Sequence, residues 1–261
     1  MVLLTACTSS SSSTTDTTVG ALQKTYPPQV ALFGDSLSWE AERFYNALVE
    51  VTGETALTYD STGGSAICDW FSTMRDVAAD DQPKAVQLQF SGNALTGCMS
   101  GYEPGSADYF QKYRDDTLAA VAIFVPTGAH VYLVGAPITR SQSQSDAPWD
   151  TLNNLYREIA AADPTHVTYV DAGPAVEGPD HTYADTLPCL PVEPCTGPVV
   201  NGAPSNVVRA ADGAHFCPVA NGDENGEIID CPVYASGAFR YAYTMYSAIG
   251  VPNASSGRGR P

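Results

Sequence analysis

Between about residue 28 and residue 250, short apolar runs alternate with segments of helical periodicity, and this alternation constrains the fold more than any other feature. Gln29–Phe33, Thr55–Tyr59, Ala85–Phe90, His130–Gly135 and Val167–Val170 read as strands. Residues 38–52, 68–79, 107–124, 150–162 and 236–249 read as helices; in the first of them Trp39, Phe44, Ala47, Leu48 and Val51 recur at helical spacing. Strands separated by helices of this length pair in parallel and are covered on both faces. The fold class expected is α/β, a three-layer α/β/α sandwich with a parallel sheet of about five strands. A doubly covered strand should be apolar throughout, and Gln87 and Gln89 depart from that rule. They face either a polar layer or a partly open side.

Residues 173–232 break the rhythm and hold four of the seven cysteines. A stretch so long and irregular inside a compact domain is functional or cross-linked. Six cysteines lie in the body of the chain, at Cys68, Cys98, Cys189, Cys195, Cys217 and Cys231, and none forms a CxxC pair. That usage predicts three disulfides and an oxidising compartment, and gives no support to a zinc ribbon or a thioredoxin motif. Cys189–Cys195 and Cys217–Cys231 are the local pairings expected, although spacing alone does not fix the connectivity.

The seventh cysteine is Cys7. Leu4-Thr5-Ala6-Cys7 resembles a bacterial lipobox, so residues 1–7 are expected to be a signal remnant with Cys7 the lipidation candidate. Residues 8–27 then form a Ser/Thr-rich tether, 28–250 the folded domain and 251–261 a flexible tail. This arrangement holds a domain outside the cytoplasm, secreted or anchored to a membrane through Cys7. No apolar run approaches the roughly 20 residues of a spanning helix. Lys plus Arg number 12 against 29 Asp plus Glu, a formal charge of −17, which argues against nucleic acid as a partner.

In an open parallel sheet ligands bind beyond the carboxyl ends of the strands. Gly34-Asp35-Ser36-Leu37-Ser38 follows the first strand, Ser61-Thr62-Gly63-Gly64-Ser65 the second and Ser91-Gly92-Asn93 the third. Asp212-Gly213-Ala214-His215 stands before the last helix. Each alone has a plain structural reading, such as a helix cap or a polar turn. Together they supply the parts of an acyl-transfer site. Ser36 is the nucleophile, His215 the base it needs and Asp212 the carboxylate that orients the imidazole. The Ser36 and Gly64 N–H groups and the Asn93 carboxamide are the oxyanion donors, with Gly63 an alternative to Gly64. His130 and His166 precede strands and read as structural; His181 is a candidate for the cleft. Trp39 and Trp70 read as core, or else as walls of an acyl pocket. The Tyr-rich last helix reads as core.

GDSLS at 34–38, the glycine at 64, GN at 92–93 and DGAH at 212–215 resemble, in order and placement, the four blocks of the SGNH, or GDSL, hydrolase superfamily. The resemblance covers roughly residues 28–250. It implies a flavodoxin-like sandwich and ester hydrolysis, with the residue roles just given. No His/Glu/Asp cluster has metal-ligand spacing and there is no P-loop or GxGxxG, so no cofactor and no metal are expected. One departure is Ala94, which stands where the family pattern has Asp after the block-three Asn. A Cys68–Cys98 bridge would staple two walls of the site. The reading is an extracytoplasmic serine esterase acting on a small-molecule, glycan or lipid ester. An O-acyltransferase working on cell-envelope glycans and a non-catalytic binding domain are the alternatives.

Overall fold

The computed structural model of the protein describes residues 29–53, 55–218, 231 and 233–249. Cys7, the Ser/Thr-rich segment and the tail lie outside the described residues. Five parallel strands form the central sheet: β1 Gln29–Gly34, β2 Ala56–Ser61, β3 Ala85–Gln89, β4 His130–Val134 and β5 Val167–Val170. Their order is β2-β1-β3-β4-β5. The chain runs outward from β1 to β2, then returns across β1 to β3. The loops leaving β1 and β3 therefore diverge, and a crevice opens beyond their carboxyl ends.

Period-two alternation divides the strand side chains between two cores. Val30 and Leu32 pack with Tyr45, Tyr241 and Met245 beneath α1 Ser36–Thr52 and α6 Ser236–Ala248. Ala31 and Phe33 pack with Met74, Phe124 and Leu155 on the opposite face. That face is covered by α2 Phe71–Asp80, α3 Ala107–Phe124 and α5 Thr151–Ala162. A single-turn helix, α4 Arg140–Ser143, lies in the connection after β4. The expected three-layer sandwich is the observed one.

Three local expectations need correction. Helix α1 begins at Ser36, not residue 38, because Asp35 caps it and accepts the Leu37 N–H. Helix α2 begins at Phe71, not residue 68. Ile67–Trp70 form a 3-10 turn first, in which the Asp69 carboxylate takes the Ala66 N–H at 2.8 Å. The irregular segment also contains a small antiparallel sheet, β6 Thr186–Pro188, β7 Val199–Val200 and β8 Ala203–Val207. Its strands are two to five residues long and two of them contain proline, so alternation could not announce them. Side-chain bonds hold it instead: Asn206 accepts the Thr196 and Gly197 N–H groups and donates to the Pro194 carbonyl.

The two glutamines of β3 are fully buried in a polar layer. Gln87 Oε1 accepts the Tyr45 hydroxyl at 2.6 Å and its Nε2 donates to the Met245 carbonyl. Gln89 Oε1 accepts both the N–H and the hydroxyl of Ser38. Ser38 lies in the first turn of α1, where N–H groups have no intrahelical acceptor. The polar residue in an apolar strand thus completes the helix that carries Ser36. Cysteines pair as Cys68–Cys98, Cys189–Cys195 and Cys217–Cys231. Among the described residues no helix is long and apolar enough to cross a membrane.

Candidate active site

At the carboxyl end of β1 the chain must turn sharply from strand to helix. Gly34 permits the turn at β1: a Cβ there would sit 2.3 Å from the Ser38 hydroxyl oxygen. The Asp35 N–H donates to the Gln89 carbonyl, which fixes the turn on β3. Ser36 follows as the first residue of α1, so its N–H has no intrahelical acceptor and its side chain meets the positive end of the helix.

Asp35 is completely buried and organises the neighbouring loop. Its Oδ2 accepts the Ser91 N–H and hydroxyl, each at 2.6 Å, and the Asn93 amide at 3.1 Å. Burial pushes the carboxyl above its ordinary range, against the pull of the Ser91 and Leu37 donors and the His215 charge. The Asn93 amide also donates to the Ser65 carbonyl at 3.2 Å, which joins the β3 loop to the β2 loop. Tyr109 and Tyr113, from α3, donate to the Gly92 and Asn93 carbonyls at 2.6 and 2.7 Å. These contacts hold the loop in which Ala94 stands where the family pattern has Asp. Beyond it, the Cys68–Cys98 bridge ties the segments following the two loops.

His215 comes from the segment before α6. Its Nε2 lies 2.9 Å from Ser36 Oγ and its Nδ1 2.6 Å from Asp212 Oδ2. Asp212 Oδ1 accepts the Ala214 and His215 N–H groups, so one carboxylate shapes the loop and faces the ring. Burial pushes the Asp212 carboxyl up, but the His215 ring and these two amides outweigh it and hold it below its ordinary value. Gly213 is left-handed, φ 78°, and a Cβ there would meet Arg140 at 2.5 Å. Arg140 lies across this loop, donating to the Ala211 carbonyl and to Asp185. Arg209 is buried against the Phe216 ring and donates to the Ala214 and Ile138 carbonyls. Burial pulls its guanidinium down to about 10.

A cavity of about 150 Å³ opens beside Ser36 and His215. Asn93, Pro137, Gln142, Trp149 and Leu152 contribute to its walls. Ser36, Asn93, Asp212 and His215 are thus brought together. Gly64 stands next to Ser65 on the adjoining rim and does not line the cavity. Trp70 packs against Phe33 and donates to the Ser65 hydroxyl, so it supports the rim. His181 is bonded to buried Glu177 and lies 6.1 Å, ring to ring, from Trp149. His130 and His166 pair with Thr168 and Asp163, near the amino ends of β4 and β5. The contacts of Asp35, Arg209 and Trp149 are not expected from the sequence. Asp35 alone had a signal, its place inside GDSLS. Among the described residues no group of three or more His, Cys, Asp or Glu side chains is placed to hold a metal ion.

Residues 29–223 match the family described as protein of unknown function (DUF459). The chain belongs to this family. No curated protein matches it. The family's fold, as this member shows it, is that of solved acylhydrolases. A structure described as TesA superposes with a TM-score of 0.53 at 14% identity, covering 85% of this chain and 97% of its own. The lipase/acylhydrolase from Enterococcus faecalis gives 0.51 at 16% identity, covering 85% and 95%. The acetyl xylan esterase AlAXEase gives 0.52 at 17% identity, covering 85% and 99%. This DUF459 chain therefore has the SGNH hydrolase fold.

Proposed function

We propose that the protein is a serine esterase that works outside the cytoplasm. The observation that carries this reading is the line Ser36 Oγ, His215 and Asp212 Oδ2, with contacts of 2.9 and 2.6 Å, opening on a cavity. Ser36 Oγ attacks the ester carbonyl carbon and its proton passes to His215 Nε2. Asp212 holds the ring in the tautomer that leaves Nε2 free to accept, and faces the imidazolium that forms. The tetrahedral intermediate collapses, the bond to the alcohol oxygen breaks, and that oxygen takes the proton from His215. Water, deprotonated by His215, then attacks the acyl carbon; the bond to Ser36 Oγ breaks, the acid leaves, and Oγ takes the proton back from His215.

The oxyanion is met by the Ser36 N–H and the Asn93 amide, both at the cavity. The bonds of the Asn93 amide to Asp35 and Ser65, at 3.1 and 3.2 Å, are long, and the amide shares a hydrogen with the oxyanion as charge develops. A cavity of about 150 Å³ takes a short acyl group. Three disulfides fit an oxidising compartment, and Cys7 would anchor the domain to a membrane face. The test is a fluorophosphonate probe. It labels wild type on the peptide containing Ser36 and leaves Ser36→Ala unlabelled. Labelling that persists in the variant would refute the assignment.

A further inference from the structure

Residues one and two turns apart on a helix share a face. On α1 that face carries Ser36, Glu40 and Arg43. Glu40 Oε2 accepts the Phe216 N–H at 2.6 Å. Cys217 is bridged to Cys231, and the Arg43 guanidinium donates to the Cys231 and Val233 carbonyls at 3.0 Å. The helix that begins with Ser36 therefore grips the segment immediately after His215, and grips it again beyond the disulfide. On its other side His215 is fixed by Asp212, which accepts its N–H. The separation between Ser36 Oγ and His215 Nε2 is set between these two carboxylates.

Burial pushes the Glu40 carboxyl above its ordinary range, against the pull of the Phe216 amide and the His215 charge.

We propose that Glu40 is a positioning residue. It registers His215 on Ser36 through the Phe216 N–H. This inference rests on the serine-esterase reading. None of the four sequence blocks contains Glu40.

Two variants test the clamp. In Glu40→Gln the side-chain oxygen still accepts the Phe216 N–H; in Glu40→Ala that acceptor is lost. With p-nitrophenyl acetate at pH 8, Glu40→Ala should lose about 100-fold in kcat/KM, the size of effect a misplacement of about 1 Å produces, and Glu40→Gln should restore most of it. The His215 ring NMR signals should shift in Glu40→Ala and return toward their wild-type positions in Glu40→Gln, a readout that does not rely on turnover. Should folded Glu40→Ala keep wild-type kcat/KM and wild-type ring signals, the clamp is overturned; a loss that Glu40→Gln does not restore would overturn it as well. Ring signals that shift in a protein without serine-dependent turnover would instead sink the esterase reading and leave the clamp standing.

Discussion

Asp35 Oδ2 and Asn93 Nδ2 meet at 3.1 Å although 58 residues separate them in the chain. The same oxygen accepts the Ser91 N–H and hydroxyl, so one buried carboxylate shapes the β3 loop and caps α1. Asp35→Asn would turn an amide N–H₂ toward donors or lose one of the two acceptor oxygens. Leaving such buried donors unmatched costs about 1–3 kcal/mol. The expected outcome is a lower Tm, with kcat/KM reduced by at least about tenfold on any ester the wild type hydrolyses. Thermal unfolding and steady-state kinetics on the purified variant check both.

In the mechanism we propose, Asn93→Ala removes an oxyanion donor, and it also removes a link to Ser65. The loss in kcat should be about 100- to 1000-fold, with KM little changed, because the oxyanion exists only beyond the ground state. An Asn93→Ala enzyme with raised KM and unchanged kcat would assign the amide to substrate binding.

The Cys68–Cys98 bridge joins the segments beyond the two loops that Asn93 links. With a sequence separation of 30 between the cysteines, its removal should cost about 3–4 kcal/mol in the chain-entropy treatment. A Cys68→Ser/Cys98→Ser double variant should therefore unfold earlier and turn over more slowly. Chemical denaturation beside an ester assay measures the two effects on one preparation.

Glu193 and Arg240 form a buried ion pair, joined by the Ser236 and Tyr234 hydroxyls. Burial pushes the Glu193 carboxyl up, yet bonds from Arg240, Ser236 and the Leu190 N–H outweigh it and hold it below its ordinary 4.5. A carboxyl with a depressed folded-state value contributes stability above its unfolded value and loses it as pH falls through the folded one. Breaking a buried pair costs about 3–5 kcal/mol. The Tm gap between wild type and Glu193→Gln should be widest near pH 7 and should narrow below pH 4.5. A gap that stays constant down to pH 3 would contradict this.

Sequence and structure agree where the chemistry is periodic or positional. The five strands announced themselves through apolar runs, and the rule that ligands gather at carboxyl strand ends put Ser36, Asn93, Asp212 and His215 on one edge. What escaped is held by single long-range bonds. Gln89 completes the first turn of α1 from 51 residues away. Arg209 reaches Ile138 across 71 residues and Glu40 reaches Phe216 across 176. No spacing rule connects such pairs. Trp149 stands in an aperiodic connection and lines the cavity together with Pro137 and Gln142 from the same connection. Trp149→Ala should widen that cavity. The ratio of kcat/KM for p-nitrophenyl octanoate over acetate should rise at least about tenfold.

The most direct test of the account is hydrolysis of p-nitrophenyl acetate, butyrate and octanoate by the oxidised protein beside Ser36→Ala. The account predicts turnover in wild type that falls from acetate to octanoate, and none above background in the variant. Turnover that survives the loss of Ser36, or a folded wild type inert toward all three esters, would contradict it.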